Sequence, residues 1–218
     1  QNPSEIRPAG GFLGSYGDLV INEGQMKELS VNDIYWPDHP KNFDLKVIPP
    51  EPIQILSKDW GARDGNWFFD FPTSAERVMT FLEASKIYKE KSVTFEGAIS
   101  LNTFVVESML EATGPISLPE YNLTISKDNF LEEIQREVEI GQDKKAGENP
   151  KKILTFGAPI LIEKLQLLPD EAKKILIERL KDHIAHKDIM IYMRRGKLAA
   201  LTASIGIDGS AYFLPSSF

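Results

Sequence analysis

Apolar and polar positions near the start of the chain predict a β-hairpin over residues 11–35. Residues 19–21 are three consecutive apolar residues of strand type. Residues 22–24 read Asn-Glu-Gly, which is a turn signal, and apolar residues then recur between positions 29 and 34. We therefore expect two antiparallel strands joined by a tight turn.

A proline-rich stretch and an aromatic-rich stretch follow the hairpin. Residues 36–52 contain five prolines and predict an extended surface loop. Residues 58–72 show no periodicity, and this stretch carries Trp60, Trp67, Phe68, Phe69 and Phe71. Because aromatic rings gain most from burial, we expect this second loop to fold back onto the body of the protein.

Helix and strand patterns alternate from residue 73 onwards. Thr73 is the predicted N-cap of a helix, with Glu76 completing a capping box and Ala75, Val78, Met79 and Leu82 forming an apolar stripe. Further elements are predicted as a strand at 93–101, a helix from the cap Asn102 to Gly114, a strand at 116–118, helices at 127–140, 151–167 and 169–186, a strand at 188–193 and a helix at 197–205. Pro169 is predicted as the first residue of its helix, and Gly157 and Pro159 as a kink.

The alternation of elements predicts an α/β fold. We expect a layered α/β sandwich with a mixed central sheet, in a single domain spanning residues 1–218. The chain is 42% hydrophobic and 26% charged, so it can form a packed core.

Charge and cysteine content exclude several classes of function. The net charge is −7, which argues against nucleic acid as a partner, because phosphate binding over a broad surface needs a basic face. There are no cysteines, so disulfides, thiolate metal sites and cysteine nucleophiles are excluded. No apolar run reaches the roughly 18–20 residues that cross a bilayer.

The first candidate motif is the glycine-rich run at residues 5–17, EIRPAGGFLGSYG. Glycines let backbone approach a neighbouring strand or a ligand closely, and the Arg7 guanidinium could bind a carboxylate or a phosphate. Alternatively, Glu5 and Arg7 pair with neighbours and the glycines permit only a tight bend. The run lacks the Gly-Lys-Ser/Thr ending of a phosphate-binding loop.

The second candidate motif lies in residues 60–72, where Arg63, Asp64, Asn66 and Asp70 stand among aromatic residues. Two carboxylates and an amide could hold Mg²⁺ through oxygen atoms, and an adjacent arginine would suit a pyrophosphate. The alternative is that Arg63 and Asp64 form structural hydrogen bonds that lock the loop.

Three weaker signals concern histidine, arginine and serine. His183 and His186 stand three residues apart in a predicted helix and could meet one metal ion, but we interpret them as solvated. Arg194 and Arg195 end a strand, which is typical of an exposed charged edge. The sequence shows no Ser-His-Asp set, because no nucleophile-elbow pattern surrounds Ser15.

The first motif resembles the Glu-x-Arg-Pro-Ala/Thr-Gly-Gly-Phe signature of a bacterial domain-of-unknown-function family. Residues 63–75, 95–119 and 187–193 also fit that family. The resemblance implies an extracytoplasmic domain behind an N-terminal membrane anchor, and it implies no settled activity. The sequence begins at Gln1 without a methionine, so we expect it to be a fragment whose anchor lies outside it.

The order of elements is more distantly similar to the LytR–CpsA–Psr family. That resemblance implies transfer of glycopolymers from a polyprenyl-pyrophosphate carrier to the cell wall, with Mg²⁺ as cofactor. By position, Arg7 and Arg63 would face the pyrophosphate, and Asp64 or Asp70 would face the metal. We therefore expect Arg7, Arg63 and Asp64 as catalytic residues, with ligand contacts from Glu5, Asn66 and Asp70.

Three functional hypotheses follow. The first is a cell-envelope domain that binds a lipid-pyrophosphate-linked or cell-wall glycan without turnover, which the small number of arginines favours. The second is a phosphotransferase that moves glycopolymer from polyprenyl pyrophosphate to the cell wall. The third is a structural module that contacts another protein through the aromatic loop.

Overall fold

A tight two-residue turn joins the first two strands of the protein. The computed structural model describes residues 11–139 and 152–212, and it begins with β1 (Ser15–Asn22) and β2 (Gln25–Asp33), which pair antiparallel. Glu23 and Gly24 between them both have positive φ, 52° and 74°. Two consecutive left-handed residues match the twist of a hairpin, so the predicted hairpin is confirmed.

The elements after the hairpin follow the predicted alternation of helices and strands. In chain order they are α1 (Glu51–Gln54), a 3-10 helix η1 (Ala62–Asp64), α2 (Phe71–Ala84), α3 (Lys86–Lys89), β3 (Gly97–Leu101), α4 (Thr103–Thr113), β4 (Ile116–Leu118), a 3-10 helix η2 (Pro119–Tyr121), β5 (Leu123–Ile125), α5 (Phe130–Glu139), α6 (Lys152–Gln166), α7 (Asp170–Ala185), β6 (Ile189–Met193) and α8 (Gly196–Ser204). The sequence pattern did not predict the three-residue strand β5. None of the helices in these two described stretches is both long and apolar enough to cross a membrane.

Internal contacts divide the chain into two compact units. Unit 1 contains residues 11–14, 34–100 and 189–212. Unit 2 contains residues 15–33, 101–139 and 152–188. The division rests on contacts and not on independent stability, so the single domain over residues 1–218 stays a prediction.

Helix α2 supplies much of the core of unit 1. Ala75, Met79 and Leu82 are at most 5% exposed, as the apolar stripe predicts. The Phe81 ring packs edge-on against Phe43 and Trp60, with ring centroids 5.8 and 5.4 Å apart. The predicted return of the aromatic loop onto the body is therefore confirmed at Trp60.

The predicted N-cap of α2 was wrong by three residues. Asp70, not Thr73, caps the helix, and its side chain accepts a hydrogen bond from the Thr73 backbone N–H at 2.9 Å. Pro72 lies in the first turn, where a residue without an N–H costs nothing. Because the Asp70 side chain satisfies an N–H group of the first turn, the helix begins at Phe71, three residues earlier than predicted.

The core of unit 2 forms where helices α4, α5 and α6 meet strands β4 and β5. Its buried members are Leu110, Ile116, Leu118, Ile125, Phe130, Ile153 and Leu161. The predicted boundaries of α4 are confirmed, because the Asn102 side chain caps its start and Gly114 follows its end with φ of 72°. Pro169 stands at the N-cap of α7 rather than at its first residue, and α6 is one helix that contains Pro159.

The predicted mixed central sheet was wrong for the described chain. Its strands form three separate two-stranded sheets, β1–β2, β3–β6 and β4–β5. A larger sheet needs inner strands that form hydrogen bonds with a neighbour along both edges. Each described strand pairs with a neighbour along only one edge. The three-residue length of β4 and β5 limits how much further pairing they could support.

Candidate functional site

The loop that carries the second motif is organised by Asp38, which sequence reasoning did not single out. Its two carboxylate oxygens accept hydrogen bonds from the backbone N–H groups of Ala62 and Arg63, at 2.8 and 2.9 Å. Burial raises the pKa of Asp38 above its ordinary value, although these two hydrogen bonds act against that shift. A Cβ atom at Gly61 would lie 2.5–2.6 Å from the same carboxylate, so any larger residue at this position would have to displace the Asp38 side chain.

Arg63 is held by neighbours within unit 1. Its Nε donates to Asp64 Oδ2 at 3.3 Å, and its Nη2 donates to Ser57 Oγ at 3.0 Å. The guanidinium also lies over the Tyr35 ring, 5.8 Å from the centroid. The side chain as a whole remains 24% exposed.

Asp64 is buried beneath this arginine, at 5% exposure. Its backbone carbonyl accepts a hydrogen bond from the Trp60 indole N–H at 2.9 Å. The indole therefore closes the loop across η1, while the Arg63 guanidinium compensates the buried carboxylate. Arg63 and Asp64 thus form the structural hydrogen bonds that the sequence analysis gave as the alternative to ligand binding. The same contacts fix the positions of both side chains.

Asn66 joins the two candidate motifs. It is 3% exposed, and its Nδ2 donates to the backbone carbonyl of Gly11 at 2.5 Å. Its Oδ1 is buried and has no hydrogen-bond partner among residues 11–139 and 152–212. Gly11 belongs to the glycine-rich run, so the two motifs meet at this bond. Glu5 and Arg7 lie outside the described residues.

Asp70 is committed to capping α2. Its Oδ2 accepts from the backbone N–H and the hydroxyl of Thr73, and its Oδ1 accepts from the Ala211 N–H at 3.0 Å. Burial would raise the pKa of Asp70, but the hydrogen bonds from Thr73 and Ala211 outweigh burial and lower it. Both oxygens therefore have protein donors.

A magnesium ion of the kind that the distant resemblance implies would have to compete with protein donors at these carboxylates. Asp70 accepts through both oxygens, and Asp64 Oδ2 faces the Arg63 guanidinium. Within the described ranges no three histidine or acidic side chains are grouped as a metal ion would need. A metal at Asp64 or Asp70 would have to displace existing donors, and Mg²⁺ binding stays a prediction without support from this donor set.

Arg194 is not the exposed charged edge that the sequence suggested. It is bound to two glutamates of α2, donating to both oxygens of Glu76 at 2.9 and 2.8 Å and to Glu83 at 2.6 and 3.2 Å. It also donates to the Phe95 carbonyl at 3.0 Å, and its side chain is only 16% exposed. The signal that could have revealed this is the spacing of Glu76 and Glu83, which are two helical turns apart on one face.

A shallow depression of about 420 Å³ lies beside this ion-pair network in unit 1. It is lined by Pro72, Thr73, Glu76, Arg77, Thr80 and Tyr192. The Arg77 guanidinium lies over the Trp60 ring at 5.0 Å, so its charge is directed to an aromatic face. A smaller depression of about 240 Å³ lies in unit 2, between β2 and α6.

Unit 2 contains a chain of polar side chains that sequence reasoning missed. Ser108 Oγ lies 2.9 Å from His183 Nε2, and His183 Nδ1 lies 2.8 Å from Asp188 Oδ2. The interpretation of His183 as solvated was therefore wrong, whereas His186 is exposed and its Nδ1 bonds only the Asp182 carbonyl among described residues. The serine and histidine are 75 residues apart, so no short motif could reveal the pair.

Comparison with known proteins identifies a family but no activity. A family model described as "Protein of unknown function (DUF4012)" matches residues 1–138, which is more than half of the chain. No curated protein and no solved structure matches the chain. The LytR–CpsA–Psr-like arrangement therefore stays a prediction. The chain itself belongs to this DUF4012 family of unknown function.

Proposed function

We propose that the protein is an extracytoplasmic domain, anchored to the membrane by a segment outside this sequence, that binds a pyrophosphate-linked or cell-wall glycan. The proposed surface is the part of unit 1 where the second motif, residues 60–72, contacts Gly11. Binding without transfer is the activity that the local geometry supports best.

The hydrogen bond from Asn66 to the Gly11 carbonyl carries this proposal. It brings together the two motifs to which the distant resemblance assigns the anionic ligand. Arg7 belongs to the same sequence motif as Gly11, and its role as a ligand residue stays a prediction. The buried Oδ1 of Asn66 adds an acceptor that still needs a donor, because an unpaired buried polar atom is costly.

Arg63 supplies the charge for an anionic ligand. Its planar guanidinium can donate to two phosphate oxygens at once, which a lysine cannot do. Nε and Nη2 have protein partners, whereas Nη1 makes no hydrogen bond to any residue that the structure describes.

Exposed aromatic rings in the same unit offer an apolar surface. Tyr35 is 52% exposed, Trp36 58% and Phe69 80%. Large exposed rings commonly mark binding surfaces, and a prenyl chain or the apolar face of a sugar ring could pack on them. The same rings favour the alternative of a protein-interaction module, which the binding experiment below separates from the proposal.

The phosphotransferase alternative would require carboxylates that are available to a metal or to a sugar hydroxyl. Asp64 and Asp70 both accept hydrogen bonds from protein donors, so each would have to exchange partners during a reaction. The transferase hypothesis predicts Mg²⁺-dependent turnover of a lipid-linked glycan. The binding hypothesis predicts retention of the intact ligand.

A short, soluble polyprenyl pyrophosphate such as farnesyl pyrophosphate is the probe that tests the proposal. Binding is measured by calorimetry and by tryptophan fluorescence, because all three tryptophans lie in unit 1. Arg63→Ala should weaken binding by about 10- to 100-fold, the effect of losing a charged hydrogen bond. The matched control Lys58→Ala removes an exposed cation from the same loop and should leave the affinity unchanged.

Loss of Arg63 also removes a cation from beside the buried Asp64 carboxylate, which could disturb the loop. The double variant Arg63→Ala/Asp64→Asn removes both charges and should show the same loss of affinity with a wild-type circular dichroism spectrum. An affinity that is equal in wild type, Arg63→Ala and the double variant would overturn the proposal. Absence of binding by the wild type would overturn the proposal of a pyrophosphate-linked ligand.

A further inference from the structure

We propose that Ser108 of unit 2 is a nucleophile activated by His183, and that this second site cleaves short-chain esters. The inference goes beyond the proposed glycan binding, which concerns unit 1. It rests on the order and geometry of three side chains: a hydroxyl, an imidazole and a carboxylate joined by two hydrogen bonds of 2.9 and 2.8 Å.

The two hydrogen bonds indicate which nitrogen of the neutral imidazole carries the proton. A carboxylate only accepts, so His183 Nδ1 carries a proton and donates it to Asp188 Oδ2. In the neutral ring Nε2 is then the acceptor, and it faces the Ser108 hydroxyl. A nucleophile next to a base that a third group orients is the arrangement that activates serine.

Asp188 is itself held in place from several sides. Its Oδ1 accepts from Asn102 Nδ2 at 3.1 Å, and its backbone carbonyl accepts from the Asn102 N–H at 2.8 Å. Its own N–H donates to the His183 carbonyl at 2.9 Å. Asn102 also caps α4, so the carboxylate is fixed to the helix that carries Ser108. Such outer contacts keep a base and its orienting group in register.

The three side chains are partly exposed to solvent. The side chains of His183 and Asp188 are 17% and 20% exposed, so solvent reaches them without surrounding them. Phe104 precedes Ser108 by one helical turn and is half exposed, which offers an apolar contact for a methyl group. Neither of the two depressions described above includes Ser108.

The proposed reaction needs only ester and water. Ser108 Oγ bonds to the carbonyl carbon while its proton passes to His183 Nε2, and the ester C–O bond breaks as the alcohol leaves with that proton. Water then attacks the acyl-serine with the same base, which releases the carboxylic acid and restores the serine. Ser108 lies within α4, where its backbone N–H serves the helix, so the oxyanion depends on solvent and turnover should be slow.

Covalent labelling is therefore the decisive measurement. The intact protein is treated with a fluorophosphonate probe, and the modified residue is identified by mass spectrometry; release of p-nitrophenol from p-nitrophenyl acetate is followed in parallel. We expect a single label on Ser108 that Ser108→Ala abolishes. His183→Ala should slow labelling and ester cleavage by at least about 100-fold. Ser117→Ala and His186→Ala, which alter exposed residues of the same types, should change neither.

Asp188→Asn separates reactivity from folding. Asparagine keeps the size and an oxygen for Asn102, but its amide donates to Nδ1 and moves the ring proton to Nε2, which can then no longer act as the base. We expect labelling to fall by at least about 100-fold with an unchanged thermal unfolding midpoint. Labelling of Ser108 no faster than of Ser117, or equal rates in wild type, His183→Ala and Asp188→Asn, would show that the three side chains only tie α4 to α7.

Discussion

Replacing Arg194 tests how far a half-buried ion-pair network stabilises unit 1. In Arg194→Met the two glutamates of α2 lose their common counter-charge, while methionine preserves most of the apolar volume. Hydrogen bonds that Arg194 donates to both glutamates raise its pKa, so the ion pair favours the charged form of the arginine.

The expected loss follows from the geometry. Removing one partner of a buried pair costs about 3–5 kcal/mol, because the remaining charge is left uncompensated. Glu83 is 22% exposed but Glu76 is 44% exposed, so water screens one of the two. We therefore expect Arg194→Met to lower the free energy of unfolding by about 2–3 kcal/mol.

Urea unfolding followed by tryptophan fluorescence measures this loss. Trp36, Trp60 and Trp67 all lie in unit 1, as do Arg194 and both glutamates, so the signal reports on the unit that is perturbed. Far-ultraviolet circular dichroism reports on both units and shows whether they unfold together. With a slope of about 2 kcal/mol per molar urea, the midpoint should fall by about 1–1.5 M.

Two further variants identify the cause. Arg195→Met alters the exposed neighbour and should shift the midpoint little. The triple variant Arg194→Met/Glu76→Gln/Glu83→Gln removes every charge of the network and should be more stable than Arg194→Met alone. A loss below about 0.5 kcal/mol in Arg194→Met, or a triple variant less stable than the single one, would refute the assignment of the loss to uncompensated charge.

Three other variants test single contacts. The Arg179 hydrogen bond lowers the pKa of Glu111 from its usual 4.5 to about 2. The stability that Glu111 contributes is therefore present above its usual pKa and disappears as the pH falls towards 2. The difference in free energy of unfolding between wild type and Glu111→Gln should vanish over that pH range. Gly97→Ala should destabilise the protein by about 1–3 kcal/mol in urea, because the new Cβ would collide with the Tyr192 carbonyl, and a wild-type midpoint would contradict the close approach. Asp70→Ala should lower the free energy of unfolding by about 1 kcal/mol through loss of the α2 cap, which thermal unfolding measures. An unchanged melting temperature would show that Asp70 does not stabilise the start of α2.

The candidate site was only partly accessible to sequence reasoning. The pattern correctly located an aromatic loop that returns to the body, but not the Asp38 carboxylate that organises it from 24 and 25 residues away. It predicted Asp70 as a ligand residue; the structure shows that this carboxylate caps α2, and a ligand role stays a prediction. Aspartate can serve either purpose, so the sequence alone did not reveal the cap.

What the sequence by itself determined was local. The hairpin turn at residues 22–24, the cap at Asn102 and the helix end at Gly114 depend on backbone preferences within a few residues, and each is found as predicted. Only the tertiary structure decided which distant groups meet. The bonds of Arg194 to α2 span more than 100 residues, and that between Ser108 and His183 spans 75. Such pairings depend on how helices and short strands pack, and packing is fixed by contacts that no local pattern encodes.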